Sequence, residues 1–152
     1  MHWFDLMDLA GIVFKKGAMS VFEAKNAVAA VVGQGVIGQM ITAYCRLSGA
    51  YPVIAIDLDE KRLALSKTSG ATHTINASTE DGTRQIREWT DGKVVDYAFE
   101  AIGLVEAPFV QSVLCTRKRG ITVWVGHAPV NTPVTIDARA LMPEKTIIAS
   151  MY

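Results

Sequence analysis

Short apolar runs alternate along the chain with longer segments whose apolar residues recur every three or four positions. Runs at Val28 to Val32, Val53 to Ile56, Ala71 to Asn76, Val94 to Glu100, Ile121 to Gly126 and Lys145 to Met151 have the length and bounding residues of strands. Between the first two, Val36 to Ser48 places Ile37, Ile41, Tyr44 and Cys45 on one face, a helical stripe that Gly49 ends. Asp59 to Ser69, closed by Gly70, reads as a second helix. Ser78 and Asp81 read as a capping box that opens a third, which continues to about Thr90 with Ile86 and Trp89 as its apolar contacts. A fourth helix covers about Glu106 to Thr116, with Pro108 tolerable only because it falls in the first turn. Alternation of six strands with four helices predicts an α/β fold, a doubly wound parallel sheet in the order 3-2-1-4-5-6.

That pattern occupies residues 28–152 as a single domain. Residues 1–27 form a helical lead-in, in which Leu6 to Phe22 reads as a helix broken by Gly17. A loop containing Pro129 and Pro133 precedes the last strand.

The junction after the first strand carries the clearest chemistry. Gly33, Gly35 and Gly38 stand in G-x-G-x-x-G spacing between that strand and the first helix, and the second strand ends in Asp57, 19 residues after Gly38. Such a turn brings backbone N–H groups at the positive end of a helix against a pyrophosphate, and a carboxylate at this offset accepts hydrogen bonds from a ribose 2′-hydroxyl. The same charge repels a 2′-phosphate, so the unit favours NAD over NADP.

Composition narrows the setting without changing this picture. Apolar residues make up 50% of the 152 and charged ones 20%, which is globular, and the formal net charge of zero speaks against nucleic acid or an anionic membrane as the main partner. Cys45 and Cys115 fall in helical segments 70 residues apart and read as core thiols of a protein in a reducing compartment. With acids at Asp5 and Asp8 instead of a signal-peptide start, and no apolar run near membrane-spanning length, the expected location is cytoplasmic. Arg117, Lys118 and Arg119 follow the fourth helix, where cations complement the helix dipole. A phosphate site is the alternative for them.

Several ordered motifs resemble the coenzyme-binding (Rossmann) domain of the zinc-type alcohol dehydrogenases, the medium-chain dehydrogenase/reductase family. VVGQGVIG is similar to its glycine turn, and IDLDEKRLALSKTSGATHTIN to its second strand, next helix and third strand. DYAFEAIG and VWVGHAP resemble its fourth and fifth strands, so the resemblance runs from about Lys25 to Tyr152. It implies that Gly33, Gly35, Val36, Ile37 and Gly38 hold the pyrophosphate of NAD, that Asp57 binds the adenosine ribose, and that Arg62 covers that side. It implies further that Ile102 and Gly103 flank the coenzyme, that Val125, Gly126 and His127 approach the nicotinamide, and that Ser150 and Tyr152 contact it from the last strand.

The departures from that family bear on function. The ligands of its catalytic zinc come from a domain this sequence does not contain and from a Cys expected near Leu9-Ala10-Gly11, where none stands. No metal site is expected from His2, His73, His127, Cys45 and Cys115, and no residue is assigned a catalytic role. His73 reads as a partly buried, satisfied histidine. His127 is either a loop residue bonded to backbone or coenzyme carbonyls or a proton shuttle beside the nicotinamide. Asp96 and Glu100, four apart on a strand, read as caps of loops. The expected function is the NAD(H)-binding domain of an alcohol dehydrogenase-like oxidoreductase, with hydride transfer only when a catalytic domain is supplied. A non-catalytic nucleotide-binding or assembly module, and a remnant that has lost NAD, are the competing readings. Ile147, Ile148 and Met151 on an edge strand point to a homodimer, as the family resemblance also implies.

Overall fold

A computed structural model describes residues 25–150, so residues 1–24 of the expected lead-in, with its helix over Leu6 to Phe22, and Met151 and Tyr152 lie outside the described residues. Six strands, β1 (Ala29–Val32), β2 (Val53–Asp57), β3 (His73–Asn76), β4 (Val95–Glu100), β5 (Thr116–Trp124) and β6 (Thr146–Ala149), form one sheet in the order β3-β2-β1-β4-β5-β6. Every neighbouring pair is parallel. The connections are helical: α1 (Val36–Leu47), α2 (Glu60–Ser69), α3 (Gly82–Trp89), α4 (Glu106–Leu114) and the single turn α5 (Ala138–Leu141). The architecture and strand order agree with the sequence expectation.

A strand covered on both faces must be apolar on both, and the two-residue period then sorts its side chains. Ala29 and Val31 of β1 join Val53, Phe99 and Val123 beneath Ile41 and Cys45 of α1. Ala30 and Val32 point the other way, into Ile54, Ile56, Ile75, Val95 and Ile86 of α3. Burying each of these isoleucines stabilises the fold by roughly 1.5–3 kcal/mol. Both thiols are buried and free, Cys45 in the first cluster and Cys115 in the second. Loss of hydration on burial pushes each thiol up to about 12.

Local expectations fail at four points. α4 stops at Leu114, and Thr116 to Arg119 belong to β5. The sheet captures this segment because the Cys115 carbonyl accepts from Val95 N at 2.9 Å and the Thr116 hydroxyl turns back to the Ser112 carbonyl at 2.7 Å. Arg117, Lys118 and Arg119 are therefore strand residues; Arg117 pairs with Asp96 and Arg119 with Glu144. The cation on the last turn of α4 is Lys145, whose Nζ donates to the Val113 carbonyl at 2.7 Å.

The third helix starts at Gly82 with Asp81 as its N-cap, accepting from Arg84 N at 3.1 Å. Ser78 donates instead to the Asn76 side chain, so the pair is not a capping box. Trp89 on that helix is 39% exposed and lies against the His73 ring at 4.6 Å instead of reaching the core. α5, which the loop reading omits, is capped by Asp137 through Arg139 N.

Candidate functional site

In a sheet of this order, β1 and β4 send their chains to opposite sides, and a crevice opens at the carboxyl ends of the strands. The glycine turn sits there. Gly33 has φ of +94°, which an L side chain resists, and a Cβ on it would fall 2.4 Å from Cγ1 of Ile102. A Cβ on Gly38 would fall 1.8 Å from the Gly33 carbonyl oxygen, so α1 packs backbone to backbone on the turn. Gly35, the N-cap of α1, meets nothing within 4 Å. No side chain among the described residues caps this helix, and the N–H groups of its first turn have no intrahelical partner. The geometry is an open cradle for an anion at the positive end of a 12-residue helix.

Asp57 ends β2 beside the turn, only 7% exposed. Its Oδ2 accepts from Gln34 N at 2.6 Å, and its Oδ1 accepts from Leu58 N at 2.7 Å and Asp59 N at 2.9 Å. A carboxylate offers about four acceptor positions. Three are taken by the backbone, so one remains on Oδ2, with Arg62 Nη1 4.0 Å away.

Gln34 was not singled out by its sequence position, yet it fixes this arrangement. It is 1% exposed, its Nε2 donates to the Val31 carbonyl at 3.1 Å, and its Oε1 accepts from the Thr42 hydroxyl at 3.1 Å. The signal available in the sequence is a lone amide between the glycines of an apolar run.

The opposite wall hangs on Glu100, fully buried at the end of β4. Its Oε1 accepts from Ile102 N and Gly103 N, each at 2.8 Å, while its Oε2 finds no partner among the described residues. Burial pushes its carboxyl above the ordinary range, against the pull of the Gly103 and Ile102 N–H groups. Glu100 thus caps the loop after its strand, as expected. Asp96 does the same at the strand's other end, accepting from Val28 N at 2.7 Å.

The expected contact residues divide between two cavities. Gly33, Gly35, Asp57, Arg62 and Ile102 line one of about 790 Å³, together with Glu80, Thr83 and Gln111, which the sequence did not single out. Val125, Gly126, His127 and Ser150 line another of about 410 Å³, beside Trp124. Gly103 is buried against the His127 backbone, where a Cβ would fall 2.3 Å from its carbonyl oxygen. Val36 is 62% exposed at the start of α1, whereas Ile37 packs on the core and Gly38 lies under the turn. These three could meet a ligand chiefly through backbone N–H groups. The His127 ring is exposed, and Tyr152 lies outside the described residues.

The described residues do not fit a zinc site. No group of three His, Cys, Asp or Glu among them could hold a metal ion. Both thiols are sealed in separate core clusters with their ionisation suppressed, the reverse of what a ligating thiolate needs. His73 shares a 2.9 Å hydrogen bond with the Thr72 hydroxyl, the satisfied role expected for it. No helix among the described residues is long and apolar enough to cross a membrane.

Fold and crevice define a Rossmann-type α/β domain. The family model described as zinc-binding dehydrogenase matches residues 36–152, and the chain belongs to that family, as the part that carries the nucleotide-binding fold of alcohol dehydrogenase-like oxidoreductases. An alcohol dehydrogenase 2 of Tanacetum cinerariifolium is 32% identical over 116 residues, which is 73% of this chain and 30% of that protein. Among solved structures, the alcohol dehydrogenase zinc-binding domain protein from Burkholderia ambifaria is 33% identical with a TM-score of 0.84, over 95% of this chain and 38% of that one. A zinc-binding dehydrogenase from Sinorhizobium meliloti, bound to NADP, is 26% identical with a TM-score of 0.79, over 96% of this chain and 40% of that one. The chain thus spans about a third to two fifths of the length of these relatives.

Proposed function

We propose that the chain binds NAD(H) across the two cavities and serves as the coenzyme half of an alcohol dehydrogenase-like oxidoreductase. The observation that carries this is the uncapped start of α1 behind Gly35, open on one side and flanked by the single remaining acceptor position of Asp57. The pyrophosphate lies on the N–H groups of Val36, Ile37 and Gly38, and the adenosine ribose on Asp57 with Arg62 beside it. Ile102 and Gly103 flank the coenzyme, while Val125, Gly126, His127 and Ser150, with Tyr152 beyond, take the nicotinamide. Bound NAD supplies a hydride acceptor at the nicotinamide carbon. The described residues contain no group placed to polarise a substrate oxygen, so turnover of an alcohol or carbonyl requires that a catalytic domain be supplied. A non-catalytic nucleotide-binding or assembly module is the second reading.

Asp57 decides between the two coenzymes. A 2′-phosphate next to a carboxylate is repelled, although Arg62 offsets part of that charge. NAD is expected to bind at least about tenfold more tightly than NADP, a difference of about 1.4 kcal/mol. Competition of the two against a fluorescent reporter measures it, and equal affinities would mean that Asp57 does not set the preference.

Assembly is proposed through β6. It is the last strand of the sheet, with one edge unpaired among the described residues and with Ile147 and Ile148 half-buried. An open edge of this kind pairs readily with a second copy. Sedimentation at tens of micromolar is expected to show a homodimer, and the cytoplasm is its proposed location; a monomer would contradict the edge-pairing proposal.

A further inference from the structure

We propose that the opposite end of the sheet carries a second binding site, a basic pocket for a small multiply charged anion of the phosphate or pyrophosphate class. It opens at the amino ends of the strands, away from the glycine turn. Arg87 from the last turn of α3, Lys93 from the turn before β4, Arg117 and Lys118 from the start of β5, and Lys145 just before β6 all line one cavity of about 570 Å³. These are five of the chain's 15 lysines and arginines, gathered in a protein of zero formal net charge.

Internal compensation falls short. Among the described residues Asp96 is the one carboxylate lining the cavity, and it is already engaged by Val28 N and by Arg117. Neighbouring acids are committed elsewhere, Glu88 to Arg84 and Glu144 to Arg119, and Asp91 is exposed and outside the lining. Arg87, Lys93 and Lys118 make no ion pair among the described residues. The simplest account of such cations is that they complement helix dipoles, since α3 and α4 both end here. Two helix ends supply about one negative charge together, and Asp96 another, which leaves roughly three of the five cations uncompensated. Lys145, the residue that does serve a helix end, is held below its ordinary pKa by burial, and the Arg87 guanidinium presses the same way.

The shape fits the charge. Val28, Val94, Leu114 and Pro143 give the cavity an apolar lining among the cations. Guanidinium forks and mobile ammonium groups together suit the several oxygens of a phosphate group. The volume leaves room for a second phosphate or an ester body beyond one phosphate group.

The test is calorimetric titration of the full chain with inorganic pyrophosphate at fixed ionic strength. Lys93→Ala/Lys118→Ala is the first variant and Gly35→Val the second. Both lysines are exposed, so the double variant is expected to fold and to bind NADH within about twofold of wild type. Pyrophosphate affinity is expected to persist in Gly35→Val, where the cradle at α1 is filled, and to drop by at least about tenfold when both lysines are also removed in that background. Phenyl phosphate and inorganic phosphate are titrated alongside: tighter binding of the ester assigns an organic phosphate, tighter binding of the bare ion an inorganic one. Pyrophosphate binding in Gly35→Val that survives loss of both lysines, or that is already absent from Gly35→Val, would overturn the proposal. NADH binding is read separately, so failure here leaves the coenzyme site untouched.

Discussion

Gly38→Ala lowers the melting temperature of the protein by about 10 °C. The new methyl group would lie 1.8 Å from the carbonyl oxygen and 2.8 Å from the carbonyl carbon of Gly33, and backbone cannot rotate away as a side chain can. The turn is also pinned from behind, because Gly33 N donates to the Ile56 carbonyl at 2.8 Å and Gln34 N to Asp57. Either α1 lifts from the sheet or these bonds break. Overpacking of this kind costs about 3 kcal/mol, and a chain of this size loses roughly 3 °C for each of them. Thermal unfolding followed by far-ultraviolet circular dichroism checks it. A melt within about 2 °C of wild type would mean that α1 does not rest directly on the turn.

Gly35→Val gives the opposite outcome: the fold survives and coenzyme binding is lost. With φ of −71° the position accepts any L residue, and the first Cβ meets nothing within 4 Å. The cost to the fold is that of a poorer N-cap, within about 1 kcal/mol. The branched side chain instead fills the space a pyrophosphate needs. Removing two or three charge-assisted hydrogen bonds of roughly 1.5 kcal/mol each weakens NADH by at least about 100-fold. The pair of variants therefore separates the glycine that holds the fold from the glycine that makes room for the ligand.

Features encoded locally were legible in the sequence. The two-residue period that sends Ala29 and Val31 to one face and Ala30 and Val32 to the other is written in β1 itself, and the strand order follows from alternation of elements. The spacing of Gly33, Gly35 and Gly38 likewise needs no tertiary information. What escaped depends on partners far along the chain. The start of β5 is set by Val95 holding the Cys115 carbonyl, which propensity in Glu106 to Thr116 cannot register. Asp57 was legible as a carboxylate at the right offset, but not as one with three acceptor positions already filled. The role of Glu100 in tying down Ile102 and Gly103 was visible only as loop capping. The basic pocket needs α3, β5 and the approach to β6 brought together, and the sequence showed only the run from Arg117 to Arg119.

The most direct test of the account is a titration of NADH into the full chain, read by quenching of tryptophan fluorescence, because Trp124 lines the cavity proposed for the nicotinamide. Wild type is expected to reach a saturating quench below about 1 mM, while Gly35→Val, melting at nearly the same temperature, shows none. No quench from wild type up to that concentration, or equal binding by both proteins, would contradict the claim that this crevice is a coenzyme site.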